Sequence, residues 1–152
     1  MQKGDVVPDF ELPDQTGTPR KLSEFLSAGP VVLFFYPAAM TYGCTKESCH
    51  FRDLSAEFAA VGAQRVGISA DSVAKQKQFD EKESLGYPLL SDSDRAVATE
   101  LGAKRGASFL PNKRVTFVID TDRTILDVIH TEFSMGAHAD KALEILKARQ
   151  AA

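Results

Sequence analysis

The six residues Val31-Val32-Leu33-Phe34-Phe35-Tyr36, ended by Pro37, constrain this chain more than any other stretch. A strand with one face in water alternates apolar and polar residues, whereas an unbroken aliphatic and aromatic run is buried on both faces. A central strand of a sheet covered by helices on each side provides that burial. The rest of the chain is read around it.

From Asp9 to Leu22 a short alternation (Phe10, Leu12) is broken by Pro13-Asp14-Gln15-Thr16-Gly17, which predicts an edge hairpin. Ser23 reads as the cap of a short helical turn before Gly29-Pro30. From Cys44 to about Val61, the residues Phe51, Leu54, Phe58 and Val61 recur at three- and four-residue spacing, one stripe of an amphipathic helix. Arg65 to Ser69 reads as a second strand. Asp71-Ser72 caps a helix with Val73, the Lys77 stem and Phe79 inside. Tyr87 to Leu90 is a short extended segment, and Asp92 to Asp94 caps a helix carrying Val97 and Leu101 and ended by Gly102. Val115 to Asp120 and Thr124 to Ile129 form antiparallel partners around Thr121-Asp122-Arg123. A helix from Ala137 to Ala148 closes the chain, with Ala139, Ala142, Leu143 and Leu146 on one face. Strands that alternate with helices and end in a hairpin predict an α/β fold, a mixed sheet with helices on both faces. A thioredoxin-like fold with an N-terminal hairpin fits this order. No linker divides residues 1–152, so one domain is expected.

A formal charge of −3, with both signs interspersed, gives no electrostatic reason to expect nucleic acid or an anionic membrane as partner. Met1-Gln2-Lys3-Gly4-Asp5 leads into no apolar stretch, and Val31 to Tyr36 is too short to span a bilayer. A cytoplasmic protein is expected. The two cysteines, Cys44 and Cys49, then belong to a reducing compartment, where a pair is more often catalytic, redox-sensing or metal-binding than structural.

Chemistry concentrates between Phe35 and Cys49. A buried strand stops at Pro37, a loop follows, and Cys44 stands at the start of a helix. The thiolate is the reactive form of cysteine, and an ordinary thiol is only a few per cent ionised at neutral pH. Unpaired N–H groups and the positive end of the helix dipole favour the anion. Arg114, which opens a strand expected beside Val31–Tyr36, is the candidate cation. Thr41 is close enough in sequence for its hydroxyl to face the same pocket. The N–H groups of Gly43 and Cys44, with Arg114, are suited to a developing negative charge. Pro37 walls the pocket without adding a donor.

Pro37-x-x-x-Thr41-x-x-Cys44 matches the signature P-x-x-x-T-x-x-C of peroxiredoxins. The stretch Gly43-Cys44-Thr45-Lys46-Glu47-Ser48-Cys49, followed by Phe51-Arg52-Asp53, resembles the peroxiredoxin Q or bacterioferritin-comigratory branch. So do Gly4-Asp5 to Leu12, Tyr87 to Asp92 and Arg114 to Asp120, so the resemblance covers nearly the whole chain. It implies a thiol-dependent peroxidase with Cys44 as peroxidatic and Cys49 as resolving cysteine, joined in turn by an intramolecular disulfide. It also implies Pro37, Thr41 and Arg114 as active-site residues, with Glu47 behind an arginine. Hydrogen peroxide or an organic hydroperoxide is the implied substrate, and thioredoxin or a similar dithiol the reductant. No cofactor is implied, and because the two cysteines are close in sequence a monomer is expected to suffice. The chain departs from the family's usual residues at Ala38, Ala39, Tyr42 and His50, which bears on substrate preference and loop mobility.

Thioredoxin-type exchange normally uses C-x-x-C, whereas four residues separate Cys44 from Cys49. A zinc site wants four ligands, and His50, His130 and His138 do not complete one with the cysteines. His50 reads as a solvated side chain. A redox sensor that passes oxidation to a partner by mixed disulfide is the alternative function.

Overall fold

The computed structural model describes residues 1–106 and 111–151. In chain order these residues form β1 (Glu11–Pro13), β2 (Pro19–Lys21), α1 (Leu22–Leu26), β3 (Val31–Phe35), α2 (Tyr42–Asp53), α3 (Ser55–Ala60) and β4 (Gln64–Ser69). There follow α4 (Val73–Glu83), β5 (Leu89–Ser91), α5 (Ala96–Leu101), β6 (Val115–Ile119), β7 (Ile125–His130) and α6 (Met135–Ala151). The apolar run is indeed the central strand of a five-stranded sheet ordered β5-β4-β3-β6-β7. β3 pairs parallel with β4 and antiparallel with β6, while β4 and β5 are parallel and β6 and β7 antiparallel. This is a mixed thioredoxin-like sheet, with β1 and β2 as a separate hairpin.

Alternation along β3 distributes its side chains between two cores. Val32, Phe34 and Tyr36 join Phe51, Phe58, Phe79, Ala139, Ala142, Leu143 and Leu146, so α2, α3, α4 and α6 cover one face. Val31, Leu33 and Phe35 join Leu22, Phe25, Leu26, Val97, Ala98 and Leu101, so α1 and α5 cover the other. Each of the Val, Leu and Phe side chains contributes roughly 1.5–3 kcal/mol by leaving water, the alanines less. The ring of Phe34 stacks on Phe51 with centroids 4.2 Å apart, which ties α2 directly to the central strand.

Several local expectations need correction. The helix expected from Cys44 to Val61 is two helices, broken at Leu54 (φ −94, ψ 22), where the Arg65 guanidinium donates to the Phe51 carbonyl at 2.9 Å. Ser23 does not cap α1; its hydroxyl donates to the Asp9 carboxylate at 2.8 Å, and Lys21 holds the cap position. In α4 Phe79 is buried as expected, but its inward polar neighbour is Gln76, whose amide donates to Ser69 Oγ and the Leu90 carbonyl, whereas Lys77 faces solvent. The third strand of the parallel set is shifted to Leu89–Ser91. His50 is not simply solvated, since its Nε2 pairs with Asp140 at 2.8 Å.

Candidate active site

The loop from Pro37 to Thr41 leaves the end of β3 and turns into α2 through Met40, a non-glycine residue held at φ 64. That left-handed conformation costs on the order of 1–2 kcal/mol and needs outside support. Asp71, in the connection after β4, supplies it by accepting from the Ala39 N–H at 2.7 Å and from Ser69 Oγ at 2.7 Å. Thr41 takes the N-cap position of α2, but its hydroxyl donates to the Ala38 carbonyl at 2.8 Å rather than capping the helix. Pro37 is half-buried and Thr41 exposed.

Cys44 is the third residue of α2 and fully buried. The helical ladder begins with the Thr45 N–H on the Thr41 carbonyl, so the N–H groups of Tyr42, Gly43 and Cys44 belong to the unpaired first turn. Arg114, buried one position before β6, donates from Nη2 to Cys44 Sγ at 3.3 Å and from Nη1 to Glu47 Oε1 at 2.8 Å. The antiparallel register of β3 and β6, with Phe35 opposite Val115, carries Arg114 to this end of the sheet. Gly43 has a reason in packing. A Cβ there would lie 3.2 Å from Arg114 Nη2 and 3.5 Å from Met135 Sδ.

Glu47 is fully buried one turn after Cys44. Burial pushes its carboxyl up to about 8, against the opposing pull of Arg114. Its Oε2 accepts no hydrogen bond from the described residues and faces His138 Nε2 at 3.6 Å. His138 is itself buried in α6. Its Nε2 lies 2.9 Å from the Thr131 carbonyl, which can only accept, so Nε2 carries the proton and Nδ1 accepts from Thr116 Oγ1 at 2.8 Å. Burial pushes this imidazole below its ordinary value and keeps it neutral.

Cys49 lies on the same helix but in other surroundings. It is half-buried at a cleft of about 530 Å³ lined by Lys46, His50, Asp53, Gly136 and Asp140. Its Sγ–H donates to Glu83 Oε2 at 3.4 Å, and burial, then this bond, push the thiol up. Both cysteines are free thiols. The structure therefore brings Cys44, Gly43, Glu47 and Arg114 together, with Thr41 and Pro37 at the loop before them, and holds Cys49 apart.

A family model described as the AhpC/TSA family matches residues 3–128. The chain belongs to this peroxiredoxin family. Peroxidoxin BcpB of Mycobacterium tuberculosis, known from a crystal structure, is 67% identical over 97% of both chains with a TM-score of 0.95. Peroxiredoxin Bcp of Escherichia coli K12 is 38% identical, covering 97% of this chain and 96% of that protein. The chloroplastic peroxiredoxin Q of Sedum lineare is 40% identical over 97% of this chain and 78% of its own length.

In this peroxiredoxin, sequence reasoning missed Glu132, His138 and Glu83. Glu132 Oε2 accepts the Arg114 main-chain N–H at 3.0 Å, and its Oε1 pairs with Arg105 at 3.0 Å. The hairpin register held a signal for it, since Val115 opposite His130 puts Arg114 beside the residues just past β7. Among the described residues no His, Cys, Asp and Glu cluster is placed to hold a metal ion, and no helix is long and apolar enough to cross a membrane.

Proposed function

We propose that this chain is a thiol-dependent peroxidase that reduces hydrogen peroxide and organic hydroperoxides through Cys44, with Cys49 as resolving cysteine. The observation that carries the reading is the Arg114 guanidinium 3.3 Å from Cys44 Sγ at the first turn of α2. A buried cation and three unpaired N–H groups favour the thiolate and stay in place as charge passes to the peroxide. The thiolate attacks the terminal oxygen, the O–O bond breaks, and Cys44 becomes a sulfenic acid while the leaving alkoxide or hydroxide takes up a proton. Arg114 and the N–H groups of Gly43 and Cys44 stabilise that leaving oxygen. Because the Thr41 hydroxyl already donates to Ala38, its lone pairs remain to accept from the hydroperoxide O–H. Pro37 walls the entrance, and Glu47 keeps the guanidinium aimed.

Cys49 then attacks the sulfenic acid, a disulfide forms within the chain and water leaves. A dithiol reductant, thioredoxin in our reading, restores both thiols. Both sulfurs stand on one helix, so the cycle needs no second subunit, and residues 1–152 act as one domain in the cytoplasm. The test is a thioredoxin-coupled assay of Cys44→Ser, which is expected to consume no peroxide. Continued consumption by this variant would overturn the assignment.

A further inference from the structure

Cys49 does not wait free for its target. Its thiol proton is held by Glu83 Oε2 at 3.4 Å, at the last residue of α4. Glu83 is fixed there twice over. Its carbonyl accepts from Arg52 Nη1 at 2.6 Å, and the next residue, Ser84, turns the chain in the left-handed conformation (φ 51). The Tyr87 hydroxyl adds a third clamp by donating to the Ser48 carbonyl at 2.7 Å. The second half of α2 is thus tied to α4 and the segment after it, while its first turn is tied to Arg114.

We propose that Glu83 is the latch of the resolving step: its carboxylate holds Cys49 against the C-terminal end of α4, and this hydrogen bond must break before Cys49 can attack oxidised Cys44. The inference rests on the roles assigned to the two cysteines above. In that step Cys49 Sγ bonds to Cys44 Sγ and the S–O bond of the sulfenic acid breaks. The hydroxyl leaves with the Cys49 proton as water, Cys49 sulfur being oxidised and Cys44 sulfur reduced. A docked, protonated thiol is a poor nucleophile, so the latch slows resolution without touching the peroxide step. The titratable and charged groups around Cys49 are Glu83 from α4, Lys46, His50, Arg52 and Asp53 from its own helix, and Asp140 from α6 across the cleft.

The experiment treats the full chain with one equivalent of hydrogen peroxide, quenches by rapid alkylation and follows both products by mass. Glu83→Ala is expected to oxidise Cys44 within about twofold of wild type but to form the disulfide about tenfold faster, the scale of one lost hydrogen bond. Glu83→Gln, whose amide oxygen still accepts, should fall between them and guards against a folding defect in the alanine variant. In a Cys44→Ser background both substitutions should move alkylation of Cys49 to lower pH. Disulfide formation at the wild-type rate, or slower, in both variants overturns the latch. A wild-type protein that oxidises Cys44 but never joins it to Cys49 overturns the resolving chemistry itself, and the latch with it.

Discussion

Cys44 and Cys49 stand five positions apart on one uninterrupted helix, α2. Five residues of regular helix separate Cα atoms by about 7.5 Å along the axis and about 140° around it, or roughly 8–9 Å overall. A disulfide needs them within about 7 Å. Formation of the Cys44–Cys49 bond therefore requires part of α2 to unwind. Hydrogen exchange of reduced and oxidised protein checks this, with protection expected to fall in the first turns of α2. An oxidised form that keeps the whole helix, or links two chains through these residues, contradicts it.

Arg114→Ala should slow the attack on peroxide. Removal of one charge-stabilising donor from a buried site raises a barrier by roughly 2–4 kcal/mol, or about 30- to 1,000-fold in rate. Stopped-flow oxidation of Cys44 reads this directly. Arg114→Lys should recover only part of the loss, because a single ammonium cannot serve Cys44 Sγ and Glu47 Oε1 in the forked geometry of the guanidinium.

Gly43→Ala separates activity from stability. Alanine suits a helix better than glycine by about 1 kcal/mol, so the melting temperature should hold or rise. The added Cβ meets Arg114 Nη2 at 3.2 Å and displaces the cation, so the oxidation rate should fall.

Glu47 makes stability depend on pH. Its folded value, raised from 4.5 to about 8, means that the native state holds this proton over a range where the unfolded chain has lost it. The contribution is fully present below about 4.5 and is lost as pH rises through about 8. Wild type should therefore lose stability relative to Glu47→Gln between pH 5 and pH 8. Urea midpoints at the two pH values measure it, and parallel behaviour of the two proteins would contradict the assignment.

The fold was largely legible because β3 announces itself and because the strands after it carry simple apolar runs with turn residues between them. What was not legible lies where a distant side chain decides a local outcome. The periodic stripe Phe51, Leu54, Phe58, Val61 carries no sign that Arg65 will take the Phe51 carbonyl and break the helix. Lys77 and Gln76 are both polar neighbours, and partners at Tyr36, Ser69 and Leu90 bring Gln76 inside. At the site, Cys44, Arg114 and Glu47 were readable from motif and strand order. His138 and Glu83 were not, since each lies on a helix far along the chain and meets α2 only through packing.

The central claim, that Cys44 is oxidised and Cys49 resolves it, is tested most directly by intact mass after one equivalent of hydrogen peroxide. Wild type should lose the mass of two hydrogens, Cys49→Ser should gain one oxygen, and Cys44→Ser should remain unchanged. Gain of oxygen by Cys44→Ser at the wild-type rate, or loss of two hydrogens by Cys49→Ser, would contradict the account.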